Sequence, residues 1–159
     1  ETVKRIMGIL LRRYNVDGIH LDYFRYPARN YTFCPTLRAR FILTNYIDPQ
    51  EIYNSELRRE NWARFVYLDS AYTHFLCGNL TNLLANLQRY IKSVHPKAML
   101  SVAVKPSPVQ ARVAYFQDWA AWLNNGLCDY VLTMNYLPDS AQFTTNLNQC
   151  AALGQDGKI

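Results

Sequence analysis

His20, Asp22, Arg25 and Tyr26 sit close together in the segment Val16-Asp-Gly-Ile-His-Leu-Asp-Tyr-Phe-Arg-Tyr-Pro27. An imidazole, a carboxylate, a guanidinium and a phenol can together move a proton and hydrogen-bond a polyhydroxylated ligand. Their spacing matters as much as their types. Ile19, Leu21 and Tyr23 alternate with His20, Asp22 and Phe24, so a period of two puts the titratable pair on one face of a strand. Apolar helix patterns precede and follow this strand. They cover its outer face and turn His20 and Asp22 toward the interior of a sheet or barrel. Carboxylates are rarely buried without a partner or a task, which makes Asp22 the leading candidate for a catalytic group. Lys105, after a second strand pattern, and Asn135 and Tyr136, closing a third, are candidates for binding the same ligand. Lys105 would hold an anionic group of a ligand or keep Asp22 ionised.

Each assignment has a plainer alternative. Asp22 paired with Arg25 or Lys105 would simply hold the strand ends together, and His20 would serve equally as a hydrogen-bonded core histidine. The other carboxylates are weaker candidates. Asp17 precedes the strand and caps a turn with Gly18, Asp118 starts a helix, Asp129 opens the third strand, and Asp139 lies in a loop. Trp119 and Trp122, three residues apart on a helix, read as packing. Cys34, Cys77, Cys128 and Cys150 have no metal-ligand spacing, so no metal or organic cofactor is expected. Asn30 and Asn79 match the glycosylation sequon, but Asn79 falls inside a helical pattern, so these are read as chance matches.

The elements that must position these groups follow from periodicity. Val3, Ile6, Met7, Leu10, Leu11 and Tyr14 mark a helix, and residues 18–24 a strand ended by Pro27. Residues 28–60 form a long connection with turns at Pro35 and Asp48-Pro49 and a short helical pattern over Leu37–Thr44. Its aromatic content favours an ordered excursion. A long helix runs from about Arg59 to Ser93, with a kink expected near Gly78, and His95-Pro96 closes it. Met99–Val104 is a second strand, Ala114–Asn124 a helix capped at Asn125-Gly126, Tyr130–Tyr136 a third strand and Ala141–Leu153 a final helix.

Half of the 159 residues are hydrophobic and 18% are charged, which indicates a folded chain and excludes disorder. No apolar run approaches the ~20 residues of a membrane span. The net charge of +5 comes from short scattered pairs such as Arg12-Arg13 and Arg58-Arg59. Those pairs read as solvated helix faces and not as a nucleic-acid surface.

Strands alternating with helices imply parallel pairing through right-handed crossovers. An open doubly wound sheet and an eightfold barrel both satisfy that pattern. No phosphate-cradling glycine motif follows any strand, whereas polar and aromatic residues gather at all three strand ends, which favours the barrel. A (β/α)8 domain needs about 250 residues, so the chain reads as a slice of one. Gly154–Ile159 reads as the loop before another strand. Such a slice leaves edges unpaired, and self-association is expected.

The segment Val16–Pro27 resembles the signature of the bacterial family-10-like glycosyl hydrolases. Trp62-Ala-Arg-Phe65 is similar to the start of that family's long helix, and Leu100-Ser-Val-Ala-Val104 to its next strand. Gln117-Asp-Trp-Ala-Ala-Trp-Leu-Asn-Asn-Gly-Leu-Cys-Asp-Tyr-Val-Leu-Thr-Met-Asn-Tyr136 is similar to its helix-plus-strand block. The resemblance implies a partial TIM-barrel domain over residues 1–159, roughly strands four to six, with residues 28–60 as a long insertion at the barrel mouth. It implies cleavage of O-glycosidic bonds in a polysaccharide, a cell-envelope glycan among the candidates, and export from the cytoplasm. Glycoside hydrolysis needs two carboxyl groups about 5–9.5 Å apart. Asp22 is expected to be one, with His20, Arg25, Tyr26, Lys105, Asn135 and Tyr136 binding substrate. The second acid is not assignable within these residues. A carbohydrate-binding barrel without turnover and an open-sheet α/β module are the alternatives.

Overall fold

A computed structural model describes residues 1–153. The reading of residues 154–159 as a loop before another strand falls outside them. Helix α1 (Thr2–Arg13) buries Met7 and Leu11, and Arg12 and Arg13 in its last turn oppose the negative end of the helix dipole. Strand β1 (Gly18–Leu21) follows. It is shorter than the alternation over residues 18–24 suggests. Asp22 Oδ1 accepts the Tyr23 N–H at 2.7 Å and Tyr23 takes φ 53°, so the chain leaves the sheet at Asp22.

The excursion over residues 28–60 is mostly helical. It comprises a 3-10 turn at Arg29–Thr32 and helices α2 (Pro35–Asn45), α3 (Pro49–Ile52) and α4 (Ser55–Glu60). Local chemistry sets these limits. Pro35 and Pro49 open their helices, the Asp48 side chain accepts from Gln50 N–H, and Tyr46 at φ 56° ends α2. Helix α5 (Trp62–Val94) begins at Asn61, whose side chain accepts from Arg64 N–H. Leu68, Tyr72, Leu76, Leu80, Leu84, Leu87 and Ile91 form its buried stripe. The helix is continuous through Gly78, the position of the expected kink.

The excursion is fastened to α5 by rings and cations. Phe41 meets Tyr72 edge-on at 4.9 Å, and the Tyr72 hydroxyl donates to Thr32 O at 2.9 Å. Arg29 pairs with Asp69 at 3.3 Å and donates to Thr73 Oγ1 at 3.1 Å. Tyr53 donates to Asp69 at 2.8 Å, and burial pushes its phenol far above its ordinary pKa.

Strand β2 (Met99–Val104) pairs in parallel with β1 on one side and with β3 (Tyr130–Thr133) on the other. Helices α6 (Pro108–Tyr115) and α7 (Trp119–Asn124) stand where one helix over residues 114–124 was expected. Phe116 at φ 60° breaks them, and Gln117 lies between. Gly126 at φ 63° provides the expected left-handed turn, and α8 (Ser140–Leu153) closes the described chain. The architecture is therefore α/β, with three parallel strands and flanking helices.

Pleating divides the sheet into two unlike faces. Leu100, Val102, Val104 and Val131 are buried in the core with α5 and α7, and Ile19 and Leu21 pack against it. The register pairs His20 with Ser101 and Ser101 with Tyr130, so these residues share the opposite face. On that face Met99 and Leu132 are 43% and 48% exposed. Gly18 is required by close approach, because a Cβ there would lie 2.2 Å from the Met99 carbonyl oxygen.

Candidate functional site

The carboxyl ends of the three strands lie side by side, as parallel pairing demands. Beyond β1, the turn at Asp22 and Tyr23 swings Tyr23 outward and brings Arg25 over its ring, with the guanidinium carbon 4.4 Å from the ring centre. The same guanidinium lies 5.8 Å from the Tyr115 ring and reaches Met134 Sδ at 3.8 Å. Beyond β2, Lys105 places its ammonium 5.0 Å from the centre of that same Tyr115 ring. Beyond β3, the Met134 N–H donates to Val104 O at 2.8 Å, and Tyr136 stands 85% exposed.

Two hollows open here. One of about 410 Å³ is lined by Tyr23, Arg25, Pro27, Lys105 and Tyr115. A second, of about 340 Å³, shares Lys105 and Tyr115 and extends past Met134 to Tyr136 and Asn146. Together they form a cleft with Tyr115 at its centre. Among the described residues, no Asp or Glu lines either hollow.

The cleft is braced from below by Gln117, a fully buried side chain. Its amide donates to Phe24 O and to Ala103 O, both at 3.1 Å, and its carbonyl accepts the Lys105 N–H at 3.1 Å. The Trp119 indole donates to Lys105 O at 3.1 Å. Both polar groups of the Lys105 backbone are thus held, which fixes the base from which its long side chain reaches Tyr115.

The expected site residues divide into two groups. Arg25, Lys105 and Tyr136 line the cleft. Asp22 lies at the start of the turn, exposed, and makes no ion pair with Arg25 or Lys105 among the described residues. The role imagined for Lys105 in holding Asp22 ionised therefore has no contact behind it. His20 is elsewhere. Its Nδ1 shares a 2.9 Å hydrogen bond with Ser101 Oγ, and it lines a separate hollow of about 150 Å³ with Asp17, Met99 and Tyr130.

Tyr26 turns inward, edge-on to Phe116 at 5.6 Å, and burial raises its pKa. Asn135 donates to Phe143 O at 3.1 Å and accepts from Asn146, so it ties the end of β3 to α8. A strand rule assigns alternate sides, but past Asp22 and Thr133 the chain is in turns, where parity no longer holds.

Three of the other candidate carboxylates are engaged in structure. Asp118 stands at the start of α7 but accepts from Arg112 at 3.3 Å without capping the helix. Asp129 accepts the Leu100 N–H at 2.6 Å and pairs with Lys92. Asp139 accepts the Gln142 N–H at 2.7 Å at the start of α8.

A family model described as glycosyl hydrolase-like 10 matches residues 2–158. The chain belongs to the glycosyl hydrolase-like 10 family. No curated protein matches it. The family membership agrees with the resemblance carried by Val16–Pro27, Trp62–Phe65, Leu100–Val104 and Gln117–Tyr136, and it points to glycosidase-related chemistry. Sequence reasoning overlooked Tyr115, the ring both cations share, and gave Gln117 no role although it opens the last of those motifs. The Gln-Asp-Trp run directly after an apolar pair was the available signal, since a glutamine in such surroundings needs buried partners.

Proposed function

We propose that residues 1–153 form an arc of a (β/α)8 barrel, close to strands four to six, in a glycoside hydrolase acting on a polysaccharide. The observation that supports this best is the cleft at the carboxyl ends of three parallel strands, the end at which barrel enzymes build their sites. Asp22 is the catalytic or substrate-orienting carboxylate. It follows β1, is exposed, and among the described residues has one oxygen engaged by a backbone N–H. Arg25, Lys105 and Tyr136 hold the glycan. Tyr115 and Tyr23 offer ring faces on which a sugar can stack. His20, Tyr26 and Asn135 support the strands and their turns. A bacterial cell-envelope glycan is one candidate substrate. Residues 28–60 would lie beside the cleft, where Pro27 leads out of it.

Asp22→Asn in the full-length protein tests this. Asparagine Oδ1 can still accept the Tyr23 N–H, so the thermal midpoint should not move. Release of reducing ends should fall by about 10²–10⁴-fold, the usual contribution of a proton-transferring group. Activity near the wild-type level would remove Asp22 from the chemistry.

A second reading is binding without turnover. It is favoured by the lack of any Asp or Glu lining the two hollows, since hydrolysis requires a second carboxyl group. Glycan binding without product would establish it.

A further inference from the structure

Among the described residues that line the two hollows, two are positively charged and none is negatively charged. Arg25 and Lys105 approach the Tyr115 ring at 5.8 and 5.0 Å, and Arg25 also covers Tyr23 at 4.4 Å. Both side chains are half-buried, and neither is in an ion pair among the described residues. Among the described residues the ion pairs are at Arg29, Arg38, Lys92 and Arg112, and each uses an aspartate that also braces the fold or abuts a helix end.

Two like charges gathered on one ring repel each other. Their ring contacts offset part of that cost but neutralise nothing. The larger hollow also lacks carboxylate acceptors. Its polar groups are a guanidinium, an ammonium and two phenols, which are donors in excess. Neutral sugars present hydroxyls that ask for acceptors as well as donors. An anionic oxygen group asks only for donors, and a planar guanidinium meets a carboxylate with two parallel hydrogen bonds.

We infer that the cleft selects an acidic glycan, with Arg25 and Lys105 jointly holding the anionic group of one sugar unit against Tyr115. This deepens the carbohydrate reading and rests on it. Gln117 and Trp119 contribute by fixing the Lys105 backbone from which its ammonium reaches the Tyr115 ring.

The test is a binding titration of the full-length protein with three probes. These are oligogalacturonate, the same oligomer after its carboxylates are reduced to alcohols, and a sulfated dextran oligomer. Oligogalacturonate should bind at least tenfold more tightly than its reduced form, and added salt should shrink that difference. Arg25→Gln and Lys105→Gln should each remove most of the difference with no change in thermal midpoint. Lys105→Arg should retain it. Preference for the sulfated oligomer over both others would support the anion inference and assign the group to sulfate. Equal binding of the acidic and reduced oligomers would overturn selection of an anion while leaving the carbohydrate reading intact. Binding of none of the three would overturn both.

Discussion

Gln117 is where a small change should have the largest measurable effect. Replacing it with leucine keeps a similar volume but removes three hydrogen bonds of 3.1 Å, leaving Phe24 O, Ala103 O and the Lys105 N–H without their partner. The bond to Ala103 O is wholly buried, and a buried group left unpaired costs about 1–3 kcal/mol. The other two are partly buried, so water can reach them and each should cost about 0.5–1.5 kcal/mol. Leucine recovers about 1 kcal/mol of apolar burial. The net loss is about 3 kcal/mol, a large fraction of the 5–15 kcal/mol that holds a typical domain together.

Urea denaturation followed by tryptophan fluorescence measures this directly, because Trp119 and Trp122 lie in the adjacent helix. Gln117→Glu provides an internal control. Its carboxylate retains an acceptor for the Lys105 N–H but faces two carbonyl oxygens, so at neutral pH it should be at least as damaging as leucine. At low pH the protonated acid can donate once, and the deficit relative to wild type should narrow. A loss below about 1 kcal/mol for Gln117→Leu, or no such narrowing for Gln117→Glu, would refute the view that this side chain clasps the strand ends.

Gly18→Ala should weaken the β1–β2 pairing, because its Cβ would meet the Met99 carbonyl at 2.2 Å, and backbone there must shift. A loss above about 1 kcal/mol in the same urea assay, at the scale of overpacking, is expected. Thiol titration of the native protein should find one fast cysteine, Cys34, because Cys77, Cys128 and Cys150 are buried and burial pushes Cys77 to about 11. Rapid labelling of Cys77 at pH 8 would contradict its placement. The Arg38 guanidinium holds the Asp48 carboxyl below its ordinary value of 3.8. A depressed carboxyl stabilises the fold above its unfolded pKa, and that stability is lost as pH falls through the folded value. Asp48→Asn should therefore be less stable than wild type at pH 7, and the gap should close in acid below pH 3.8.

Periodicity alone was enough to locate α1, α5, all of β2 and α8, because a helix or strand with one buried face writes that face into its sequence at a fixed spacing. The end of β2 before Lys105 was legible for the same reason, whereas β1 and β3 stop short of the alternation over residues 18–24 and 130–136. Ordered motifs such as Val16–Pro27 and Gln117–Tyr136 carried the family. What only the tertiary structure decided was the direction of each side chain past those ends. Tyr23 and Phe116 adopt left-handed backbone conformations that no spacing announces, and one such residue reverses which side the next side chain faces. Tyr26, past the turn at Tyr23, packs against the core, Asn135, past the end of β3, turns to α8, and Tyr115, at the end of α6, comes under Arg25 and Lys105. A hollow is a property of several segments meeting, and its lining is set by turn geometry and by buried partners such as Gln117, whose three contacts span residues 24 to 117 of the chain.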